Sequence, residues 1–489
     1  MDITVAIYTL VIYKVVLLLI GLWSQQRTQT TSDYFLGGRN LGPVVAAISY
    51  GASSASAWTL LGMSGAAFVL GMSAIWIVAG AVAGCVFAWL WIAPRLMRYT
   101  RARGQITLTG FLADDPQVDQ PTSHQGIRLL ASLVILLSFV FYIAAQFQGA
   151  ATTFSSAFDT PLAESLILGA AIITIYTFMG GFWAASITDT LQGGLMLIAA
   201  LLLPTVAFMS IGSWQDILES ELFSQQALSL SGQNTGLAAL GFVVGNLAIG
   251  IGALGQPHLL NRYMALRDER ALKQAQVLSI GWFSIVFFSM FTLGLLGKIL
   301  IPDLQDPETL FFQLSTQLFP PVVAAVLLAA VLSAIMSTAD SMLLVVASTI
   351  SHDLRLQRLI PQRELLLSRL SMLMVAVFAV LIALYLPATI FERVLFAWVA
   401  IGSAFGPTIL VRLAGVQLSP AAVLRSIATG FFLAVLLSLL PNTAGDWAER
   451  LIPFTAATLI LVLPTLFPSL FSSPGFAAGS HAKRKPVPR

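Results

Sequence analysis

The sequence predicts an all-α, polytopic membrane protein with about thirteen transmembrane helices, on the basis of composition, run length and charge placement. Apolar residues make up 57% of the chain and charged residues only 10%, whereas about a quarter of the residues in soluble domains are charged. Apolar runs of about 20 residues, the length that crosses a bilayer, recur throughout the chain. The segments between these runs alternate between rich and poor in basic residues.

The apolar runs give the approximate bounds of the predicted spans. They are 3–23, 44–69, 74–97, 127–155, 162–180, 186–211, 236–254, 275–300, 319–350, 368–386, 391–412, 421–440 and 452–471. The first run follows Asp2 rather than a basic leader, which favours a spanning helix over a cleaved signal. We expect residues 1–472 to form a single integral membrane transporter domain and residues 473–489 a basic, disordered cytoplasmic tail.

The loop charges predict the orientation of the chain. One alternating set of loops, including Arg39, Arg101, Arg262 and Arg267, holds most of the 25 basic residues. Because basic loops stay in the cytoplasm, the N-terminus is expected outside and the C-terminus inside, in the inner (cytoplasmic) membrane of a bacterium. Lys14 lies within the first span and is expected to extend towards a membrane interface.

Two spans have a composition that disfavours a continuous helix. Residues 49–58 (SYGASSASAW) combine serines with a glycine, and residues 245–257 contain four glycines and a proline. Two broken helices five spans apart indicate inverted repeats with the site between them, here approximately 44–211 and 236–412. The alternative for the first segment is tight helix packing through small residues.

The ninth span brings oxygen atoms into an apolar helix. Ser337, Thr338 and Ser341 lie within about one turn, and hydroxyl oxygens suit a small hard cation. Asp340 adds a carboxylate, and Asp189 is a second acid near the start of the sixth span. The alternatives are that the hydroxyls bond to the preceding helical turn, and that Asp189 is solvated or caps its helix.

Several motifs resemble the solute:sodium symporter family, specifically its sodium/proline symporter branch. They are DYFLGGRNLGP (33–43) running into residues 51–58, YTFMGGF (176–182) with Thr188-Asp189, GQPH (255–258), residues 334–338, and AFGP (404–407). The resemblance implies a LeuT-like core of two inverted five-helix repeats and alternating access. It also implies sodium-coupled symport of a small solute, L-proline or a related amino acid, with sodium as the co-transported ion.

The resemblance also assigns site residues. The sodium site would use the carbonyls of Ala52, Ala55 and Ala334 and the hydroxyls of Ser337 and Thr338. Asp189 matches an acid that the family links to cation handling. The substrate site is expected at Ser53, Ser54, Ser56, Trp58, Tyr142, Ile249, Ala253, Gln256 and Trp398.

Three positions depart from the proline-carrying relatives. Those relatives have an aspartate where this chain has Ser54, and aromatic residues where it has Ile249 and Ala253. The cavity is therefore expected to have a different shape. We hypothesise that Asp340, Ser341 and Asp189 form a second cation site, or a site that a proton titrates, in place of the lost charge.

The alternatives that remain open are a proton-coupled symporter of another small organic solute and a transporter-derived solute sensor. An enzyme is not expected, because no nucleophile–base pattern occurs and the four histidines, including His258, fall in predicted loops or the tail. The expected partners are the solute, sodium and the lipid bilayer. The charge balance, 25 basic against 22 acidic residues, favours no nucleic acid, and no obligate protein partner is evident.

Overall fold

A computed structural model describes residues 3–25, 36–115, 118, 124–178, 182–212, 215, 228–354, 364–386, 388–441 and 443–466. Each of the thirteen predicted spans corresponds to a helix among these residues. They are α1 (Ile3–Gln25), α2 (Pro43–Ala57, Trp58–Gly62 and Met63–Leu70), α3 (Ile75–Phe87, Ala88–Ile92 and Ala93–Ala102), α4 (Gln125–Phe158), α5 (Leu162–Thr177), α6 (Phe182–Ser210), α7 (Gly236–Leu247 and Ala248–Gly255), α8 (Glu269–Leu300), α9 (Pro321–Ser348), α10 (Glu364–Tyr385), α11 (Ile390–Leu413), α12 (Pro420–Ser438) and α13 (Trp447–Leu466). The predicted tail lies outside the described residues.

Length and composition support the membrane assignment. Nine stretches of the described residues are long and apolar enough to cross a membrane, and one of them, Pro43–Ala102, contains both α2 and α3. These two helices are separated by a turn at Gly71, whose φ of +61° suits glycine. Shorter apolar segments lie in α1, α5 and α10. The chain is therefore a multi-pass, all-helical membrane protein.

At the centre of the molecule, α2 and α6 pack against each other, and each of them packs against both α8 and α9. Small residues allow this close approach. A Cβ atom added at Gly193 of α6 would lie 2.4 Å from the side chain of Ile48 on α2, and one added at Gly250 of α7 would lie 2.0 Å from the carbonyl oxygen of Gly80 on α3. Lipid gives helices no hydrophobic reason to associate, so such close contacts supply much of the packing energy.

The seventh span continues beyond its predicted end. After Gly255 the backbone is extended at Gln256, and a short helix, Pro257–Ala265, follows. The prediction that His258 and Arg262 lie in a loop was wrong, since both are buried, with exposures of 0% and 1%. The short helix is polar on one side, which lowers its mean hydropathy. For this reason hydropathy does not predict that the helix packs inside the protein.

Lys14 also lies differently from the expectation. Its ammonium group contacts the Sδ atom of Met336 on α9 instead of extending to an interface. The neighbouring Tyr13 hydroxyl shares a hydrogen bond of 2.6 Å with Ser333, one turn earlier on α9. Helix α1 therefore turns its polar residues towards the helix that carries the predicted ion ligands.

Candidate functional site

The break in α2 lies at Ser56, where φ is 47° and ψ is −176°. The freed backbone groups are satisfied by side chains: the Ala57 N–H donates to Oε1 of Gln146 on α4 at 3.0 Å, and the Trp58 N–H donates to the Ser56 hydroxyl at 3.1 Å. An unsatisfied N–H group is costly inside a membrane, so these two bonds stabilise the break. The sequence predicted the break, but not the support from Gln146.

The break in α7 is held by Gln256 and Trp398. The Gln256 amide donates to the carbonyl oxygens of Gly252 and of Trp398 on α11, both at 3.1 Å. In return, the Trp398 indole N–H donates to the Ile249 carbonyl at 2.9 Å. Gly252 leaves room for this ring, since an added Cβ atom would lie 1.9 Å from it. Both residues were predicted as substrate contacts, and the structure gives both a part in maintaining the break.

The predicted sodium ligands meet between α2 and α9. The Ser337 hydroxyl donates to the carbonyl oxygens of Ala52 at 3.0 Å and Ala334 at 3.1 Å. The Thr338 hydroxyl donates to the Ser53 carbonyl at 3.0 Å. The fifth predicted ligand, the Ala55 carbonyl, follows one turn after Ala52 on α2, and all five predicted ligand residues are fully buried. A cluster of neutral oxygen atoms from two helices has the chemistry that a hard monovalent cation requires.

The proposed second cation site contains the guanidinium group of Arg262. Its Nη2 atom donates to Asp189 Oδ2 at 3.0 Å, to the Ser53 hydroxyl at 2.8 Å and to the Ser341 hydroxyl at 2.6 Å. The Asp189–Arg262 ion pair is fully buried, with side-chain exposures of 0% and 1%. Ser49 adds a hydrogen bond of 2.7 Å to the same carboxylate oxygen. Asp189 and Ser341 therefore meet, but around a fixed cation.

Asp340 does not join this group. Its Oδ1 atom accepts a hydrogen bond from the Thr177 hydroxyl on α5, and its Oδ2 atom has no hydrogen-bond partner among the described residues. The carboxyl group is buried, with 2% exposure. The three residues of the hypothesised second site are thus divided between the Arg262 cluster and a separate contact with α5.

A narrow cavity lies beside the two breaks. Six predicted substrate residues line it, together with eight that the sequence did not single out. The predicted ones are Ser54, Trp58, Tyr142, Ile249, Ala253 and Trp398, and the others are Tyr50, Ala81, Cys85, Gly250, Phe283, Phe287, Val394 and Leu395. Six of the missed residues lie in ordinary apolar stretches of α3, α8 and α11, where only the fold distinguishes a cavity wall from core packing. The other two, Tyr50 and Gly250, lie in the two segments predicted to break, but were not predicted as substrate contacts. Ser53, Ser56 and Gln256 do not line the cavity.

The cavity wall is mainly apolar and aromatic, with a few unused polar atoms. The Trp58 indole N–H and the Tyr142 hydroxyl have no hydrogen-bond partner among the described residues, and Gln146 Nε2 nearby on α4 has none either. Trp58 packs against Phe287, with ring centroids 5.4 Å apart. Concave apolar walls with a small number of polar atoms are typical of small-molecule sites.

Gln146 provides a test of the broken helix. Replacing it with leucine removes the acceptor for the Ala57 N–H, which should cost about 1–3 kcal/mol if the group stays buried. We expect slower solute uptake by Gln146→Leu and a lower thermal unfolding midpoint. Ser138→Ala is the matched control, since that buried hydroxyl of α4 makes no hydrogen bond with the described residues. Equal loss in both variants would contradict a specific role for Gln146.

The overall arrangement is shared with known transporters. A Na⁺-coupled sialic acid symporter in a substrate-bound outward-open state superimposes with a TM-score of 0.77, at 17% sequence identity, over 96% of this chain and 98% of that one. Mhp1, a nucleobase-cation-symport-1 family transporter, gives 0.59 at 13% identity over 90% and 96% of the two chains. Two broken helices beside a central cavity, in this arrangement of helices, give the chain a LeuT-like core.

The sequence comparisons identify the family. A model of the sodium:solute symporter family matches residues 34–419. The osmoregulated proline transporter OpuE of Bacillus subtilis is 36% identical over 83% of both chains. A sodium/proline symporter of Staphylococcus aureus is 34% identical over 87% of this chain and 84% of that one. The chain belongs to the sodium:solute symporter family, and sodium is its co-transported ion.

Proposed function

We propose that the chain imports L-proline, or a closely related amino acid, together with sodium across a bacterial cytoplasmic membrane. The observation that carries this proposal is that ion ligands and cavity wall share one segment of α2. Ala52 and Ala55 supply predicted sodium ligands, while Ser54 and Trp58 line the cavity. The names of the two proline-transporting relatives support the choice of solute.

The shared segment gives a mechanism for coupling. Sodium between α2 and α9 would replace the hydrogen bonds of Ser337 and Thr338 with ion–oxygen contacts and fix α2 against α9. The solute then binds to a wall that the ion has already ordered. Each ligand raises the affinity for the other because both favour the same conformation. The membrane potential contributes about 2.3 kcal/mol per charge per 100 mV to inward movement.

The cavity suits a small amino acid. The Trp58 N–H and the Tyr142 hydroxyl are available to a carboxylate, and Phe283 and Phe287 offer apolar surface to a ring. Ser54 supplies a hydroxyl where proline-carrying relatives have an acid. The loss of that charge, with aliphatic rather than aromatic side chains at Ile249 and Ala253, leaves room for a solute related to proline but of a different shape.

The proposed orientation follows from the loop charges. Thirteen helices place the N-terminus outside and the C-terminus inside if the loops that contain Arg39, Arg101 and Arg267 face the cytoplasm. The opposite connections carry Asp303, Asp306 and Glu308 among the described residues. Cysteine labelling from each side of the membrane would test this orientation.

Uptake by proteoliposomes tests the function. Radiolabelled L-proline should accumulate when an inward sodium gradient and an inside-negative potential are imposed. Accumulation under a pH gradient without sodium would instead indicate proton coupling. Saturable binding of proline without uptake would indicate a sensor. If proline neither enters nor binds, other amino acids can be screened one by one. A change in the fluorescence of Trp58 on addition of an amino acid would then identify the class of solute.

Variants of Asp340 test whether one sodium ion or two are transported per cycle. Asparagine can still accept the Thr177 hydrogen bond, so Asp340→Asn should change the half-saturating sodium concentration by less than about threefold, equivalent to about 0.7 kcal/mol. The measurement is sodium-dependent uptake with its Hill coefficient. Asp340→Ala, which removes the acceptor, is the companion variant and should lower the unfolding midpoint. A fall in sodium affinity or Hill coefficient in Asp340→Asn would instead support the second cation site.

A further inference from the structure

Three arginines converge on one open cavity at the end of the helices where the basic loops lie. The cavity is lined by Arg39, Arg101, Gly104, Ile106 and Arg267. Arg39 belongs to the segment that leads into α2, Arg101 to the last turn of α3, and Arg267 to the connection before α8. No acidic residue lines this cavity in the part of the chain that the structure describes. We refer to Arg39, Arg101 and Arg267 as the arginine pocket.

The guanidinium groups are held in place mainly by neutral partners. Arg39 Nη2 donates to the carbonyl oxygens of Thr100 at 3.2 Å and Gln105 at 2.7 Å, and Arg101 donates to the Leu266 carbonyl. Carbonyl oxygens orient a guanidinium group without cancelling its charge. The Nη1 atom of Arg39 is buried and has no hydrogen-bond partner among the described residues. Oriented donors with an unused N–H group are typical of a binding site.

The charges in the arginine pocket are only partly compensated. Asp268 pairs with Arg267 at 3.2 Å, but its carboxylate also caps α8 by accepting the Ala271 N–H at 2.7 Å. Burial, and then the nearby charge of Arg101, lower the pKa of Arg39. A bound anion would reduce the electrostatic repulsion between these neighbouring guanidinium groups.

We propose that the arginine pocket binds a phosphate group, supplied by an anionic phospholipid headgroup or by a soluble phosphate. Arginine presents paired N–H groups that match phosphate oxygens. The pocket lies on the face proposed to be cytoplasmic, and anionic lipids concentrate in that leaflet. Both sources offer the same chemistry, and they differ in whether acyl chains contribute to binding.

A bound phosphate would connect the segment before α2, the end of α3 and the connection before α8. Beside the pocket, Leu41 and Leu266 form a short backbone bridge: the Leu41 N–H donates to the Ala265 carbonyl at 3.0 Å, and the Arg267 N–H donates to the Leu41 carbonyl at 3.1 Å. This bridge joins the segment before α2 to the helix that follows the α7 break. Ile106 lines both the arginine pocket and a second cavity that reaches Arg262 and Ser341. The anion would therefore stabilise closure at this end of the molecule.

Binding to the purified, full-length protein tests the proposal. Its thermal unfolding midpoint is measured in nanodiscs of dioleoyl-phosphatidylcholine with and without dioleoyl-phosphatidylglycerol, and in detergent with inorganic phosphate. We expect phosphatidylglycerol to raise the midpoint. Arg101→Gln and Arg267→Gln should each weaken the apparent affinity about tenfold, as expected for the loss of one charge-assisted contact. The control is Arg425→Gln, which should behave like the wild type. Arg425 is an exposed arginine of α12, and among the described residues its hydrogen bond is to Ala421 of its own helix.

The outcomes distinguish a lipid headgroup from a soluble phosphate, and both of these from the absence of a phosphate site. A rise with phosphatidylglycerol alone identifies the lipid headgroup, and an equal rise with inorganic phosphate in detergent identifies a soluble phosphate. Equal responses of Arg101→Gln, Arg267→Gln and the Arg425→Gln control would overturn the proposal, as would no response of the wild type to either probe. Native mass spectrometry of bound lipid, with the same variants, gives a second readout that does not depend on unfolding. Neither readout requires solute uptake, so the proposal stands or falls independently of the proposed function.

Discussion

Replacing Ser337 with alanine should raise the half-saturating sodium concentration for uptake about 10- to 100-fold, the range expected when a contact to a charged group of about 1.5–3 kcal/mol is lost. Ser337 is the side chain that lies between α2 and α9, with its hydroxyl 3.0 Å from the Ala52 carbonyl and 3.1 Å from that of Ala334. In the absence of the ion, the hydroxyl donates its proton to these oxygens. A sodium ion bound at the predicted site would instead face a lone pair of this oxygen, with the O–H bond turned away.

The measurement is the initial rate of solute uptake by proteoliposomes over a range of sodium concentrations at constant potential. Thr338→Val should shift sodium affinity in the same direction, while Thr338→Ser, which keeps the hydroxyl, should stay near the wild type. Ser333→Ala is the matched control one turn earlier on α9, because its hydroxyl bonds to Ala329 and Tyr13 and not to α2. Wild-type sodium affinity in both Ser337→Ala and Thr338→Val would exclude the α2–α9 site.

The element pattern could be predicted because membrane helices are set by local hydrophobicity. A run such as residues 421–440 needs only length and apolar content to be assigned, and α12 has nearly those bounds. The two breaks were also predictable, since residues 49–58 combine serines with a glycine and residues 245–257 contain four glycines and a proline. The ion ligands on α9 stay a prediction, which rests on the unusual occurrence of hydroxyl groups in an apolar span.

Contacts between distant segments could not be predicted. Arg262 lies 73 residues from Asp189, and nothing local to either residue indicates the pair. The helix 257–265 has too few apolar residues to be recognised as buried by mean hydropathy. The positions of Phe283 and Phe287 in the cavity wall were missed for a similar reason. The sequence does not show whether an apolar residue faces lipid, the protein core or the solute. The sequence carries composition and periodicity, whereas charge pairing in a low-dielectric interior depends on the packed fold.

Neutralising either member of the Asp189–Arg262 pair should damage the protein more than neutralising both. Each single variant, Asp189→Asn or Arg262→Gln, leaves one uncompensated charge with almost no exposure to solvent. Breaking a buried ion pair in this way costs about 3–5 kcal/mol, whereas replacing both charges costs much less. We expect low yield and little uptake from the single variants, and recovery of folded protein in Asp189→Asn/Arg262→Gln, measured by thermal unfolding.

Sodium then distinguishes the role of the guanidinium group. In the wild type the group lies between Asp189, Ser53 and Ser341. Asp189 and Ser341 are two of the three residues of the hypothesised second cation site. One mobile sodium ion per cycle, with a Hill coefficient near one, is the expected consequence. In Arg262→Gln the vacated carboxylate is free to bind sodium, so added sodium should raise its unfolding midpoint more than that of the double variant. If sodium stabilises both variants equally, the guanidinium group does not take the place of an ion, and its role is confined to the α2–α6–α9 contact.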